Sequence, residues 1–161
     1  MKQFICITLT AALTTYAASF AYADAAHHGK EPANQAEQTA FGIAADPAAA
    51  TRIIHIEMSD AMRFNPPKIN VKRGEKVKFV IVNKGAVKHE MVLGTMAELK
   101  EHAALMKKFP GMEHDEPSMT RVEPGKTGQI AWQFNRPGKF YYACLVPGHL
   151  EAGMIGKVTV K

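Results

Sequence analysis

The chain has 161 residues, 47% of them apolar, and a formal charge of +5. This length accommodates one domain and a tail. The basic residues are scattered and form no dense run, which argues against a nucleic-acid-binding protein.

The N-terminus carries Lys2, an apolar run from Phe4 to about Leu13, and small residues ending in Ala21-Tyr22-Ala23. That order predicts a secretory signal peptide over residues 1–23 and hence a periplasmic protein. The apolar run is too short and too rich in threonine to span a bilayer, which takes about 20 apolar residues. Ala23-Asp24-Ala25 overlaps the first signal, so cleavage after Ala25 is the alternative to cleavage after Ala23. The first cut leaves 19 of the 20 basic residues and all 15 acidic ones, a net of +4, with Cys144 as the only cysteine. One cysteine in an exported chain closes no internal disulfide. It is a metal ligand, a reactive thiol or a small buried hydrophobe.

Residues 24–50 are rich in Ala and polar residues and lack an apolar period, so they read as a mobile tail. From Thr51 the texture changes. RIIHIEM (52–58), KINV (68–71), KVKFVIVN (76–83), VKHEMVL (87–93), TGQIAWQF (127–134), GKFYYACL (138–145) and MIGKVTV (154–160) read as short strands punctuated by Gly, Pro and Asn. Val77, Phe79 and Ile81 share one face; His55 reads as an ordinary surface or edge histidine. TMAELKEHAALMKKF (95–109) reads instead as a helix. Thr95 and Glu98 form a capping box, Pro110-Gly111 ends it, and Leu99, Ala103, Met106 and Phe109 fall on one face. The spacing predicts an all-β sandwich of about seven strands over residues 51–161, with a helix-containing crossover.

The stretch YYACLVPGHLEAGMIG, residues 141–156, concentrates unusual chemistry. The period of two puts Phe140, Tyr142 and Cys144 on the core face, with Cys144 at the rim. The following loop is long enough to fold His149 and Met154 back over that rim. A thiolate and a thioether favour Cu(I), and imidazole tolerates both copper states. Zinc does not ordinarily take Met. A trigonal His–Cys–His plane with a weak axial Met needs a second histidine, and His89 in VKHEMVLG is the best placed. Taken singly, a Cys at a strand end or a Met is ordinary core filling. A Cys–His nucleophile leaves Met154 without a role and has no orienting acid.

MRFNPPKINVKRGEKVKFVIVN, then His89, then Cys144-x4-His149-x4-Met154, resembles the cupredoxin family over roughly residues 52–161. The chain is most similar to the periplasmic cupredoxins of bacterial copper tolerance, and its loop spacing also resembles rusticyanin and auracyanin. The resemblance implies a Greek-key β-sandwich holding one type 1 (blue) copper, cycling between Cu(I) and Cu(II), with His89, Cys144 and His149 in a plane and Met154 axial. Glu90 stands where plastocyanin and azurin have the Asn that ties their two ligand loops together. Lys88 stands where azurin has Gly, so a backbone carbonyl ligand is not expected.

Residues 96–119 also hold Met96, His102, Met106, Met112, His114 and Met119. His102 and Met106 share a helix face. Met96 and Met106 read as packing. Met112, His114 and Met119 lie among charged residues and are either filler or a second Cu(I) site. Cleavage after Ala25 would place His28 third from a free amine, an arrangement suited to square-planar Cu(II); otherwise His27 and His28 are solvated tail residues.

The expected function is copper handling in copper tolerance, with a dedicated electron carrier between periplasmic redox partners as the alternative. A His2CysMet site has no open position, so no enzymatic activity is expected. Leu145, Val146, Pro147 and Leu150 flank His149 and predict an apolar rim where a redox partner docks. The chain is expected to be a monomer, with no nucleic-acid partner and no membrane span.

Overall fold

Alternating β-branched and polar residues build two facing five-stranded sheets. The computed structural model describes residues 37–109 and 114–161. The expected signal peptide, the first part of the tail with His27 and His28, and Met112 lie outside the described residues. Among the described residues ten strands are formed: β1 (Ile43–Ala44), β2 (Arg52–Ser59), β3 (Arg63–Asn65), β4 (Lys68–Val71), β5 (Lys76–Asn83), β6 (His89–Gly94), β7 (Met119–Val122), β8 (Thr127–Gln133), β9 (Gly138–Ala143) and β10 (Ile155–Val160). One sheet has the order β1-β8-β5-β2-β3, the other β4-β10-β9-β6-β7. β2 runs parallel to β5 and β10 parallel to β4, while the other pairs are antiparallel.

The core lies between the sheets. Ile54, Ile56 and Met58 of β2 and Val77, Phe79 and Ile81 of β5 point into it, and the residues between them are exposed or half-buried. Tyr142 and Cys144 enter from the opposite sheet. His55 is exposed.

The crossover between β6 and β7 is the helix α1 (Met96–Lys108). Its capping box is complete: Thr95 Oγ1 accepts from the Glu98 N–H at 3.3 Å, and Glu98 Oε2 accepts from the Thr95 N–H at 2.7 Å. Leu99 and Met106 are buried, and Leu99 and Ala103 join Val92, Met119, Ala143 and Leu145 in a second apolar cluster. Phe109, expected on this face, caps the helix and stays 46% exposed. Among the described residues no helix is long and apolar enough to cross a membrane.

Two differences from the sequence expectation stand out. β1 and β3 are two and three residues long, too short to show a period, and the four residues of β7, MTRV, do not alternate. More importantly, the stretch read as the end of the mobile tail belongs to the sandwich. Phe41 is buried and stacks on Trp132 with ring centroids 4.9 Å apart at 18°, and the Trp132 indole N–H donates to the Phe41 carbonyl. β1 then pairs with β8. At Gly42, with φ +139°, a Cβ would fall 2.2 Å from the Gln133 carbonyl oxygen, so only glycine lets this segment approach so closely. A single aromatic among alanines supplies the burial that the composition conceals. Phe41→Ala should therefore cost about 3 kcal/mol in denaturant unfolding; a mobile segment would give no change.

Candidate metal centre

Three side chains, one from β6 and two from the segment that follows its neighbour β9, meet at one end of the sandwich. Pairing of β6 with β9 runs to Val92–Ala143. Just beyond it lie His89, the first residue of β6, and Cys144, the residue after β9. His149 comes from the loop that leaves Cys144. That loop is closed on itself: the Cys144 N–H donates to the Met154 carbonyl at 3.1 Å, the Met154 N–H to the His149 carbonyl at 2.9 Å, and the His149 N–H to the Val146 carbonyl at 2.9 Å. Arg63 of β3 pins it further by donating to the Ala152 carbonyl at 2.9 Å.

The donor atoms converge. Cys144 Sγ is 3.3 Å from His149 Nδ1 and 3.9 Å from His89 Nδ1, and the two Nδ1 atoms are 3.2 Å apart. Among the described residues, this is the only group of three such donors lying within 4.8 Å of one another. Three donors held about 2.0–2.3 Å from one ion in a trigonal plane lie roughly 3.5 Å apart, so the set fits a single ion. Met154 is fully buried in the same core cluster as Cys144, at the far end of the closed loop. The donor set is thiol, two imidazoles and a thioether, which suits copper.

The neighbours prepare these donors. His89 is fully buried, and its Nε2 lies 3.0 Å from Asp60 Oδ1. The ionised Asp60 carboxylate can only accept, so Nε2 carries the hydrogen and Nδ1 presents its lone pair to the centre. Asp60 is fixed by the Ala86 N–H at 2.7 Å. That bond, followed by the one to His89, holds its carboxyl below the usual range. The 84–88 turn that supplies Ala86 is pinned by buried Asn83, which accepts from Gly85 and donates to the Val87 and Val122 carbonyls. A Cβ on Gly85 would collide with Asp60 Oδ1 at 2.0 Å. Asp60 escaped the sequence reading because it lies 29 residues from His89 with no local signal.

Desolvation, and after it the neighbouring His89, hold the His149 imidazole below its ordinary value, which favours the neutral, ligating form. Burial pushes the Cys144 thiol up to about 12. A metal bound there must displace that proton, because the thiolate is the ligand.

Glu90 departs from plastocyanin and azurin in identity, yet it joins the two ligand segments. Its backbone N–H points at Cys144 Sγ, 3.4 Å away, and its carboxylate Oε1 accepts from the Leu145 N–H at 3.0 Å. Oε2 lies 3.7 Å from Arg121 Nε. Burial raises the Glu90 carboxyl, opposed by the Leu145 bond and then by Arg121.

Other expected residues fall elsewhere. Leu145 is 1% exposed and belongs to the cluster under α1, so it does not form part of the rim. Val146 and Leu150 are half-buried and Pro147 is exposed beside His149. Met119 is buried against Leu99, and His114 faces His102.

Two substitutions test these supports. Asp60→Asn should lower copper affinity about 10- to 100-fold in a chelator competition, because His89 loses its orienting charge; unchanged affinity would remove Asp60 from the centre. Glu90→Ala should cost metal-free protein about 1–3 kcal/mol in denaturant unfolding by orphaning the buried Leu145 N–H. Glu90→Gln, which restores an acceptor, should recover most of that loss, and equal losses would refute the tie.

The comparisons agree with this geometry. The sequence pattern of the copper binding proteins, plastocyanin/azurin family, matches residues 51–161. The chain is 48% identical over 149 residues to the copper-resistant cuproprotein CopI of Rubrivivax gelatinosus, covering 89% of this chain and 90% of that protein. It is 31% identical to the CopI of Vibrio cholerae, covering 99% and 98% of the two chains. Among solved structures it resembles the reduced auracyanin of Roseiflexus castenholzii, with TM-score 0.60 and 21% identity over 70% of this chain and 98% of that one, a likeness of fold. With two five-stranded sheets and a match that spans nine of the ten described strands, β2 to β10, the chain belongs to the plastocyanin/azurin family of copper-binding proteins, the cupredoxins.

Proposed function

We propose that His89, Cys144 and His149, with Met154 as a fourth donor, would hold one type 1 copper, and that the chain handles copper in copper tolerance. The observation that carries this reading is the convergence of one buried thiol and two imidazole Nδ1 atoms within 3.9 Å of one another. When bound, copper supplies a one-electron couple between Cu(I) and Cu(II). The protein's own part is to hold the donors in place before binding. Asp60 sets the His89 tautomer, Glu90 ties β6 to the Cys144 segment, and the closed loop positions His149 and Met154. Four protein donors leave no position for a substrate, so the chain binds copper and turns nothing over.

The names of the CopI relatives favour copper resistance over a dedicated electron carrier. The N-terminal pattern of residues 1–23 supports export and a periplasmic location. The chain acts as a monomer, and a redox partner docks at His149, beside Val146, Pro147 and Leu150.

A copper titration followed by visible absorption tests the ligand set. Wild-type protein should develop an intense thiolate-to-Cu(II) band in proportion to the first equivalent of copper. Cys144→Ser should abolish the band, and its survival in that variant would overturn the assignment.

A further inference from the structure

Away from the primary centre, a second pair of imidazoles faces one another. His102, half-buried on α1, and His114, half-buried in the segment leading to β7, have ring centroids 4.8 Å apart at 35°. The primary pair, His89 and His149, shows 5.0 Å and 55°. Imidazole nitrogens about 2.0 Å from a shared ion put each ring centre roughly 3 Å from it and the two centres about 4.5–5 Å apart. Both pairs have that spacing.

A carboxylate completes the second set. Glu116 Oε1 lies 3.7 Å from His114 Nε2. Glu98, one turn before His102 on α1, lines with His102, Glu116 and Ser118 a cleft of about 210 Å³. Arg121, the cation that would oppose a metal here, is paired with Glu90 and Asp115. Burying α1 requires apolar residues, as at Leu99 and Met106, and does not call for two imidazoles side by side.

Met106 and Met119 are buried in apolar packing, so the donors open to this cleft are nitrogen and oxygen. Such donors select a divalent ion over Cu(I), and Cu(II) stands highest in the affinity order of the divalent first-row metals. We propose that His102, His114 and Glu116 form a second metal site that takes a divalent transition-metal ion, Cu(II) ahead of the others. It is more open than the primary centre, since His102 and His114 are half-buried and Glu116 is exposed, whereas His89 and Cys144 are fully buried. It therefore binds more weakly and exchanges faster, as suits a site that takes up excess ion. This goes beyond the primary assignment and does not rest on it.

The test is a Cu(II) titration of the full exported chain, with visible absorption and electron paramagnetic resonance followed together. The first equivalent should raise the intense band. The second should add a nitrogen- and oxygen-ligated signal with no intense band. His102→Ala combined with His114→Ala should remove the second equivalent and leave the band, which also reports that the variant has folded. Glu116→Gln should weaken the second equivalent about tenfold. Binding of a single equivalent by the wild-type chain would overturn the proposal. So would a second equivalent that survives the double variant, including one that then disappears when His27 and His28 are replaced, which would assign it to the N-terminal histidines.

Discussion

The centre depends on the place where β6 and β9 stop pairing. Their ladder ends at Val92–Ala143. Beyond it, Glu90 takes over, using its backbone N–H toward Cys144 Sγ and its side-chain oxygen toward the Leu145 N–H. One residue thus keeps the two strands in register where the backbone bonds have ended. A buried carboxylate is costly unless paired and hydrogen-bonded. Arg121 and the Leu145 N–H supply both requirements. The neighbouring positions, His89 and Cys144, inherit their separation from this tie.

Burial then sets the chemistry. Cys144 and His89 are fully buried and His149 is half-buried, so two imidazole nitrogens and a sulfur face each other in a largely dry pocket. Without a cation, such a set is held together by at most a shared hydrogen. With one, each lone pair has an acceptor. Asp60 directs one lone pair inward by taking the hydrogen on the other side of His89. Because the donors already stand at spacings suited to one ion, binding requires little rearrangement, and the ordering cost was met when the sandwich folded.

Much of this was legible in the sequence because it is local. The alternation of KVKFVIVN gave β5, and Thr95 with Glu98 gave the start of α1. Cys144, His149 and Met154 lie in one loop, so the approach of the Cys144 thiol and the His149 imidazole follows from a single turn. His89 was legible from its place at a strand end and from the second histidine that the trigonal plane needs. The remainder is non-local. Asp60 reaches His89 only because β2 lies next to β5, whose following turn supplies Ala86. Phe41 is set among alanines, and only its stacking on Trp132 reveals that it belongs to the core. Leu145 has an apolar side chain that could face either the rim or α1; packing against Leu99 decides it. Glu90 was legible as a departure from the family, while its compensating partner, Arg121, lies on a neighbouring strand whose residues do not alternate.

The central claim is that His89, Cys144 and His149 share one copper ion in an arrangement the fold has already built. X-ray absorption at the copper edge of protein loaded with one equivalent tests it most directly. The account predicts one short copper–sulfur distance and two copper–imidazole distances, unchanged in kind between the oxidised and reduced protein. A copper shell with no short sulfur contact, or with only thioether and oxygen ligands, would contradict it.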